Sequence, residues 1–321
     1  MKTKLLGRSI FALVVLLMIS LTSVVGYQSE QLIDRESEPD AKLYEWYYLP
    51  GYPNYAPSGL PDFSQKQQDD WSLDVMLKLC APTSLANIFW WFDSKHEDPN
   101  GYLGDGKDTY PLVKNYNAPV PPNPGPYFDD HNYNNVNDNR TPFLKFRRNG
   151  ELIERIAWHT SRQLFSHLWI TLHPLNIMSI VRICWGIKKW LKDVDLQNQY
   201  TVQLIFKPSF STVNKYVRDN SGVILTLMNC NPEIPQWNNW GHYVAVAGIN
   251  SSGQIALSDP ARDIMNPSLD PTEHNDASIV SHDIWNVNFT TPYPLISSWW
   301  LPNYTKYGVT VNAAIIISEK K

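Results

Sequence analysis

The sequence has few of the features that mark nucleic-acid-binding or metal-binding proteins. Its 321 residues include 27 Lys and Arg against 31 Asp and Glu, which gives a net charge of −4. No basic run or stripe occurs, so nucleic acid is a poor partner. The three cysteines form no CxxC pair and no zinc-like Cys/His spacing. The sequence therefore predicts neither a metal site nor a cofactor.

Three cysteines are also too few for a disulfide-based scaffold, and their number is odd. An exported chain with an odd count is expected to keep one unpaired thiol. A disulfide between Cys184 and Cys230 would leave Cys80 free, and the sequence alone does not establish that pairing. Cys184 falls at helical spacing with Ile180, Ile183 and Ile187, which indicates a structural role on a packed face.

Long apolar runs are absent except at the start of the chain, where residues 1–26 resemble an export signal. Lys2, Lys4 and Arg8 precede an almost wholly apolar run at 10–25. That run is long for a signal peptide and short for a membrane-spanning helix. We therefore expect residues 27–321 to lie outside the cytoplasm, either secreted or tethered to a membrane through residues 10–25.

Composition and periodicity predict one α+β domain. Hydrophobic residues make up 43% of the chain, which is enough for a sizeable core. Residues 27–60 are predicted to form an extended arm, and residues 61–321 the domain, with a loop insertion at 96–150. Helical spacing is followed by strand-like alternation from Thr201 onward, an order typical of α+β folds. Helices are predicted at about 80–95, 151–165, 177–194 and 211–217, and strands at about 62–67, 202–206, 223–228, 241–249, 254–260 and 309–317.

The stretch 80–92, CAPTSLANIFWWF, predicts a buried helix with a cysteine at its first residue. Pro82 is acceptable in a first turn, where its missing N–H costs nothing. Thr83 and Ser84 are expected to cap free N–H groups there. A helix N-terminus favours the thiolate form of a cysteine, so Cys80 is a candidate nucleophile. The alternative is a small core residue, the commoner fate of a free cysteine.

A predicted hairpin brings a histidine and an aspartate together. A turn centred between Ser251 and Ser252 places Asp259 opposite Val244. His242 is two residues from Val244 and therefore points to the same face as Asp259. The two are diagonal neighbours within side-chain reach, as a carboxylate that orients an imidazole must be. A surface histidine beside a strand-end aspartate remains the alternative.

These segments together resemble papain-like cysteine peptidases, in the branch related to bacteriocin-leader-processing peptidases. The resemblance is carried by Phe63-Ser-Gln65, Cys80-Ala-Pro-Thr-Ser-Leu-Ala86, Gly241-His-Tyr-Val-Ala-Val-Ala-Gly248 and Ser258-Asp-Pro260. It implies a papain-like fold, in which a buried nucleophile helix packs on an antiparallel sheet. It also implies Cys80 as nucleophile, His242 as base, Asp259 as the orienting residue and Gln65 as the oxyanion glutamine.

The sequence departs from the family pattern at two places. Ala81 stands where the family commonly has glycine. The interval between Gln65 and Cys80 is longer than usual, so Gln67 and Gln68 also remain candidates for the oxyanion role. The resemblance implies a secreted thiol protease that hydrolyses peptide bonds in peptide or protein substrates through a catalytic triad and a thioester intermediate, without a cofactor.

The sequence also suggests residues that contact the substrate, and it leaves two other functions open. Gly241 would allow close approach of a substrate backbone, and Trp237 and Trp240 would wall the cleft because they flank His242. Trp285, Trp299 and Trp300 are more typical of packing residues. The same triad would serve a transglutaminase-like acyl transferase, and the same scaffold a non-catalytic protein that binds peptide or glycan. The sequence does not predict the oligomeric state.

Overall fold

A computed structural model describes ten segments of the chain. They are residues 45–52, 59–62, 65, 79–96, 109–110, 112–113, 152–161, 177–230, 241–261 and 284–321. All of them lie within one compact unit, Tyr44–Lys321. The predicted N-terminal signal or anchor lies outside the described residues. Among the residues described, no helix is both long and apolar enough to cross a membrane.

One antiparallel sheet of eight strands organises the unit. Six strands follow the order β2-β8-β3-β4-β5-β6, while β1 pairs with β4 and β7 pairs with β8. Four helices accompany the sheet in the described part of the chain. The strands are β1 Tyr47–Tyr48, β2 Tyr200–Phe206, β3 Gly222–Asn229, β4 Gly241–Asn250, β5 Gln254–Ser258, β6 Ile284–Asn286, β7 Trp300–Leu301 and β8 Val309–Glu319, and the helices are α1 Cys80–Lys95, α2 Leu152–Ser161, α3 Ile177–Asp193 and α4 Phe210–Arg218.

Helix α1 is the centre of the core. Every side chain from Cys80 to Ser94 is buried, and the helix packs against β3 and β4. A helix enclosed on all sides needs apolar residues all round, which is what its sequence provides. Strand β3 is likewise buried along its whole length. The fold is therefore α+β and compatible with the expected papain-like arrangement, with the cysteine-bearing helix buried against an antiparallel sheet.

The described part of the predicted arm adds an edge to the sheet. Tyr47 and Tyr48 pair with Ile249 and Gly248 of β4, and the Leu49 N–H donates to the carbonyl of Ala247 at 2.8 Å. Gly248 permits this approach, since a Cβ there would lie 2.3 Å from the Tyr48 ring. The arm thus contributes main-chain hydrogen bonds to the strand that carries His242.

The predicted insertion at 96–150 contributes to the core at one point. Leu112 and Val113 are fully buried. The Trp190 indole N–H donates to the Leu112 carbonyl at 2.9 Å, and the Val113 N–H donates to Asp93 Oδ1 at 3.0 Å. These bonds attach the segment to α1 and α3. The rest of the insertion, apart from residues 96, 109 and 110, lies outside the described residues.

The longer elements lie close to their predicted bounds, whereas three short strands were not predicted. These are β1, β6 and β7, each of two or three residues. Such strands depend on a neighbouring edge for their hydrogen bonds rather than on their own alternation. The predicted short strand around residues 62–67 lies mostly outside the described residues, which include only Asp62 and Gln65 from it.

Candidate active site

The β4–β5 hairpin places His242 and Asp259 on one side of the sheet. Ala245 pairs with Ser258, and this register continued by one residue sets Asp259 across from Val244, as predicted. The turn differs from the prediction, because Asn250 pairs with Gln254 around a three-residue turn in which Gly253 has φ 95°. A β-bulge between Val246 and Gly248 restores the predicted register before the site is reached.

Three predicted residues form a continuous chain of contacts. His242 Nε2 lies 2.6 Å from Asp259 Oδ1, and Cys80 is close enough to the histidine to contribute to the rise in its pKa. Because the carboxylate occupies Nε2, Nδ1 is the ring nitrogen left to face the sulfur. All three side chains are buried. The order sulfur, imidazole, carboxylate is the arrangement of a nucleophile, a base and a group that orients the base.

Two hydrogen bonds join α1 to both strands of the hairpin. Ser84 Oγ donates to the Tyr243 carbonyl at 3.0 Å, next to His242. Asn87 Nδ2 donates to Ser258 Oγ at 2.8 Å, next to Asp259. Cys80, Ser84 and Asn87 are spaced i, i+4 and i+7 and so share one face of the helix. This face holds the cysteine in register with the histidine and the aspartate.

The predicted capping of α1 by Thr83 and Ser84 is wrong. Thr83 Oγ1 donates back to the Leu79 carbonyl at 2.8 Å, and Ser84 donates to the sheet. The N-cap position is held by Leu79, whose side chain cannot accept a hydrogen bond. The Ser84 hydroxyl thus finds its partner across the interface with the sheet, and the Thr83 hydroxyl finds its partner in the N-cap carbonyl. The N–H groups at the start of α1 are consequently not capped by these two hydroxyls.

The electrostatics of the histidine favour its protonated form. Burial opposes a positive charge on His242, but the charge and hydrogen bond of Asp259, with the hydrogen bond of Cys80, raise its pKa from 6.5 to about 10. Burial likewise opposes the charge on Asp259, yet His242, Tyr304 and the Ala261 N–H hold the pKa of this carboxyl below its usual value of 3.8. The pair is therefore an ion pair at neutral pH.

Tyr304 is a member of the site that sequence reasoning missed. Its hydroxyl donates to Asp259 Oδ2, while Oδ1 accepts the Ala261 N–H at 2.9 Å in addition to His242. The tyrosine lies 45 positions along the chain from the aspartate, in the turn between β7 and β8. No periodicity or motif in that loop-rich segment marks it.

The predicted oxyanion residue Gln65 is attached beside the aspartate. Its N–H donates to the Pro260 carbonyl at 2.9 Å, and its side chain is buried. Its Oε1 has no hydrogen-bond partner among the described residues. Gln67 and Gln68, the other two candidates for the role, lie outside those residues, so Gln65 keeps its predicted role as a proposal.

A buried polar network continues from the hairpin toward Gln65. Ser258 Oγ accepts the Asn87 amide and lies 2.7 Å from Asp62 Oδ1 and 3.0 Å from the Pro61 carbonyl. Asp62 is fully buried. The segment that carries Gln65 is thereby attached to both α1 and β5, one residue from Asp259.

The predicted substrate-contact residues divide between described and undescribed parts of the chain. Gly241 is the first residue of β4 and pairs with Met228. Trp237 and Trp240 lie outside the described residues, so the predicted cleft wall stays a prediction. Of the other tryptophans, Trp299 is fully buried and donates to the Pro208 carbonyl, and Trp285 packs on Tyr304 with ring centroids 4.8 Å apart.

The other two cysteines differ from Cys80 in their surroundings. All three thiols are free and buried, so no disulfide joins Cys184 to Cys230. Burial raises the pKa of both Cys184 and Cys230 to about 11, against small opposing effects of Lys188 and Thr310 respectively. Neither thiol has an imidazole among the groups that shift its pKa. Of the three, only Cys80 is among the groups that raise the pKa of His242.

Comparison with known proteins gives one finding. Residues 185–278 match the Peptidase_C39 like family. The matched region includes His242 and Asp259 and begins after Cys80, so it covers the hairpin and not α1. It supports the resemblance to papain-like cysteine peptidases of the bacteriocin-processing branch, and it suggests cysteine peptidase activity. No curated protein and no solved structure matches the chain.

Proposed function

We propose that the protein is a cysteine peptidase that hydrolyses peptide bonds through the triad Cys80, His242 and Asp259. The observation that carries the proposal is the 2.6 Å contact between His242 Nε2 and Asp259 Oδ1, beside a Cys80 at the start of α1 that is close enough to help raise the pKa of the imidazole. The family match suggests peptidase chemistry independently of this geometry. Peptides or proteins are accordingly the substrates.

In this mechanism the Cys80 sulfur attacks the scissile carbonyl carbon as a thiolate. His242, held protonated between sulfur and carboxylate, then gives its proton to the leaving amine. The resulting thioester is hydrolysed by a water molecule, whose proton His242 accepts. Asp259 keeps the imidazole in one orientation throughout and stabilises its positive charge whenever His242 carries the proton.

The negative charge that develops on the carbonyl oxygen needs donors at the start of α1. The main-chain N–H of Cys80 lies at a helix N-terminus, where such groups are free of intrahelical partners. The Gln65 amide is the second proposed donor. Each such donor contributes about 10²–10³ in rate in enzymes of this kind of chemistry.

We further propose that the enzyme acts outside the cytoplasm. The support is the sequence of residues 1–26, with its basic start and apolar run. Whether that segment is removed or retained as a tether is decided by the N-terminal sequence of the protein isolated from its native host. A mature chain that begins after residue 26 favours secretion, and an intact segment favours tethering.

Cleavage of a mixed peptide library by wild type and Cys80→Ala tests the peptidase proposal. The proposal expects cleavage by the wild type and loss of nearly all of it in the variant. Cys184→Ala is the matched control, because it also removes a buried thiol but one without an imidazole. Equal cleavage by wild type and Cys80→Ala would remove Cys80 from the mechanism.

A further inference from the structure

Both oxygens of the Asp259 carboxylate accept hydrogen bonds. Oδ1 accepts from His242 and from the Ala261 N–H, and Oδ2 accepts from the Tyr304 hydroxyl. A carboxylate that is 2% exposed has little water to serve the second oxygen. The Tyr304 hydroxyl therefore supplies the hydrogen bond that a water molecule would donate to an exposed carboxylate.

The loop that bears Tyr304 is built to hold the hydroxyl in place. The Trp285 ring packs on the tyrosine ring from β6, and the Cys230 N–H donates to the Gly308 carbonyl at 3.1 Å from the end of β3. Gly308 has φ 70°, and a Cβ there would lie 2.4 Å from the Trp300 ring. Packing on Tyr304 itself and the bond to Gly308 thus hold the turn at the tyrosine and on its C-terminal side.

We propose that Tyr304 is a positioning residue of the reaction, which acts through Asp259 to keep the carboxylate ionised and oriented toward His242. The inference rests on the proposed function, because the role that it assigns to Tyr304 is a role in the proposed reaction of Cys80. If the Tyr304 side chain only filled space, a phenylalanine at the same position would serve as well. The donation to a catalytic-site carboxylate makes the oxygen itself the functional part.

The expected effect follows from the charges that face Asp259. His242 approaches from β4, the Tyr304 hydroxyl from the β7–β8 turn, and the Ala261 N–H from the chain just after the aspartate. Asp62 is another buried carboxyl in this network, bonded to Ser258. Removal of the tyrosine hydroxyl takes away a hydrogen bond that favours the charged form, so the carboxyl accepts a proton at higher pH. A hydrogen bond to a charged group corresponds to a displacement of about one pH unit.

The test measures the rate at which iodoacetamide modifies Cys80 as a function of pH, followed by mass spectrometry of the peptide that contains it. In the wild type, the modification rate of Cys80 is expected to stay high below neutral pH. At more acidic pH the rate should fall, and this fall is the acidic limb of the pH profile. In Tyr304→Phe that limb should move to higher pH by about one unit. Tyr200→Phe is the matched control, because it removes a buried hydroxyl that has no hydrogen-bond partner among the described residues, at the far side of the sheet.

A double-mutant cycle separates positioning from simple packing. Asp259→Asn should abolish the enhanced reactivity at low pH, and Tyr304→Phe added to it should change nothing further. If Tyr304→Phe alone fails to fold while the double variant folds, the hydroxyl is needed because of the charge on Asp259, and the proposal stands. If both variants unfold, the role is structural and the proposal is overturned.

The remaining outcomes distinguish this inference from the proposed function. If wild-type Cys80 reacts rapidly at low pH and the Tyr304→Phe profile overlies it, Tyr304 has no positioning role, while the peptidase proposal stands. If wild-type Cys80 reacts no faster than an ordinary thiol, the proposed function fails and the role of Tyr304 falls with it.

Discussion

Replacement of Asp259 by asparagine should change the pH dependence of stability in a defined direction. The substitution keeps the size of the side chain but removes the charge that faces His242. Loss of one partner of a buried ion pair costs about 3–5 kcal/mol. We therefore expect the free energy of unfolding to fall by about that amount near pH 6.

The pH window follows from the two displaced pKa values. His242 has its pKa raised from 6.5 to about 10, so its contribution to stability is complete below pH 6.5 and is lost as pH rises toward 10. Asp259 has its pKa lowered from 3.8, so its contribution is complete above pH 3.8 and is lost as pH falls through the lower folded-state value. The difference between wild type and variant should therefore be largest between about pH 4 and 6.5 and should shrink toward pH 10.

Urea denaturation of both proteins at unit intervals from pH 5 to 10 measures this difference. One titrating proton changes the free energy of unfolding by at most about 1.4 kcal/mol per pH unit, which bounds the slope. Asp195→Asn is the control, because Asp195 is exposed and has φ 62°, a backbone conformation that asparagine also adopts. A constant difference across the whole pH range would refute the ion pair.

Two further substitutions test the parts that support the triad. Asn87→Leu removes the bond to Ser258 within the buried α1–β5 contact, and it should lower the free energy of unfolding by about 2 kcal/mol in urea denaturation. Ser94→Ala, which removes only a bond within α1, should cost less, and equal losses would contradict the network. Gln65→Ala should lower kcat by about 10²–10³ with little change in KM. The exposed Gln203→Ala serves as its control, and an unchanged kcat for Gln65→Ala would move the oxyanion role to another residue.

Sequence patterns were sufficient for the elements whose identity is local. Pro82 after Cys80 and the apolar run behind it determine where α1 starts and that it is buried. The strand-like alternation of residues and a turn made of Asn, Ser and Gly are sufficient to predict the β4–β5 hairpin. The predicted register next to Asp259, with Ala245 opposite Ser258, was right although the predicted turn was not, because the bulge near Ala247 offsets the longer turn.

The parts that sequence did not predict depend on tertiary contacts. Ser84 and Thr83 have the residue types of helix caps, and only the strand behind the helix determines that Ser84 donates to Tyr243 instead. Tyr304 reaches Asp259 from a turn with no periodicity, and its position depends on packing against Trp285. Such contacts across long chain separations leave no pattern in the neighbouring sequence.

In the proposed mechanism the imidazole of His242 activates the sulfur of Cys80. The rate of iodoacetamide modification of each of the three cysteines in the folded protein between pH 5 and 9 measures this activation. Cys80 should be modified faster than a free thiol and below neutral pH, while Cys184 and Cys230, whose pKa values burial raises to about 11, should remain unmodified. Modification of Cys80 no faster than of the other two, with a rise only at alkaline pH, would contradict the proposed mechanism.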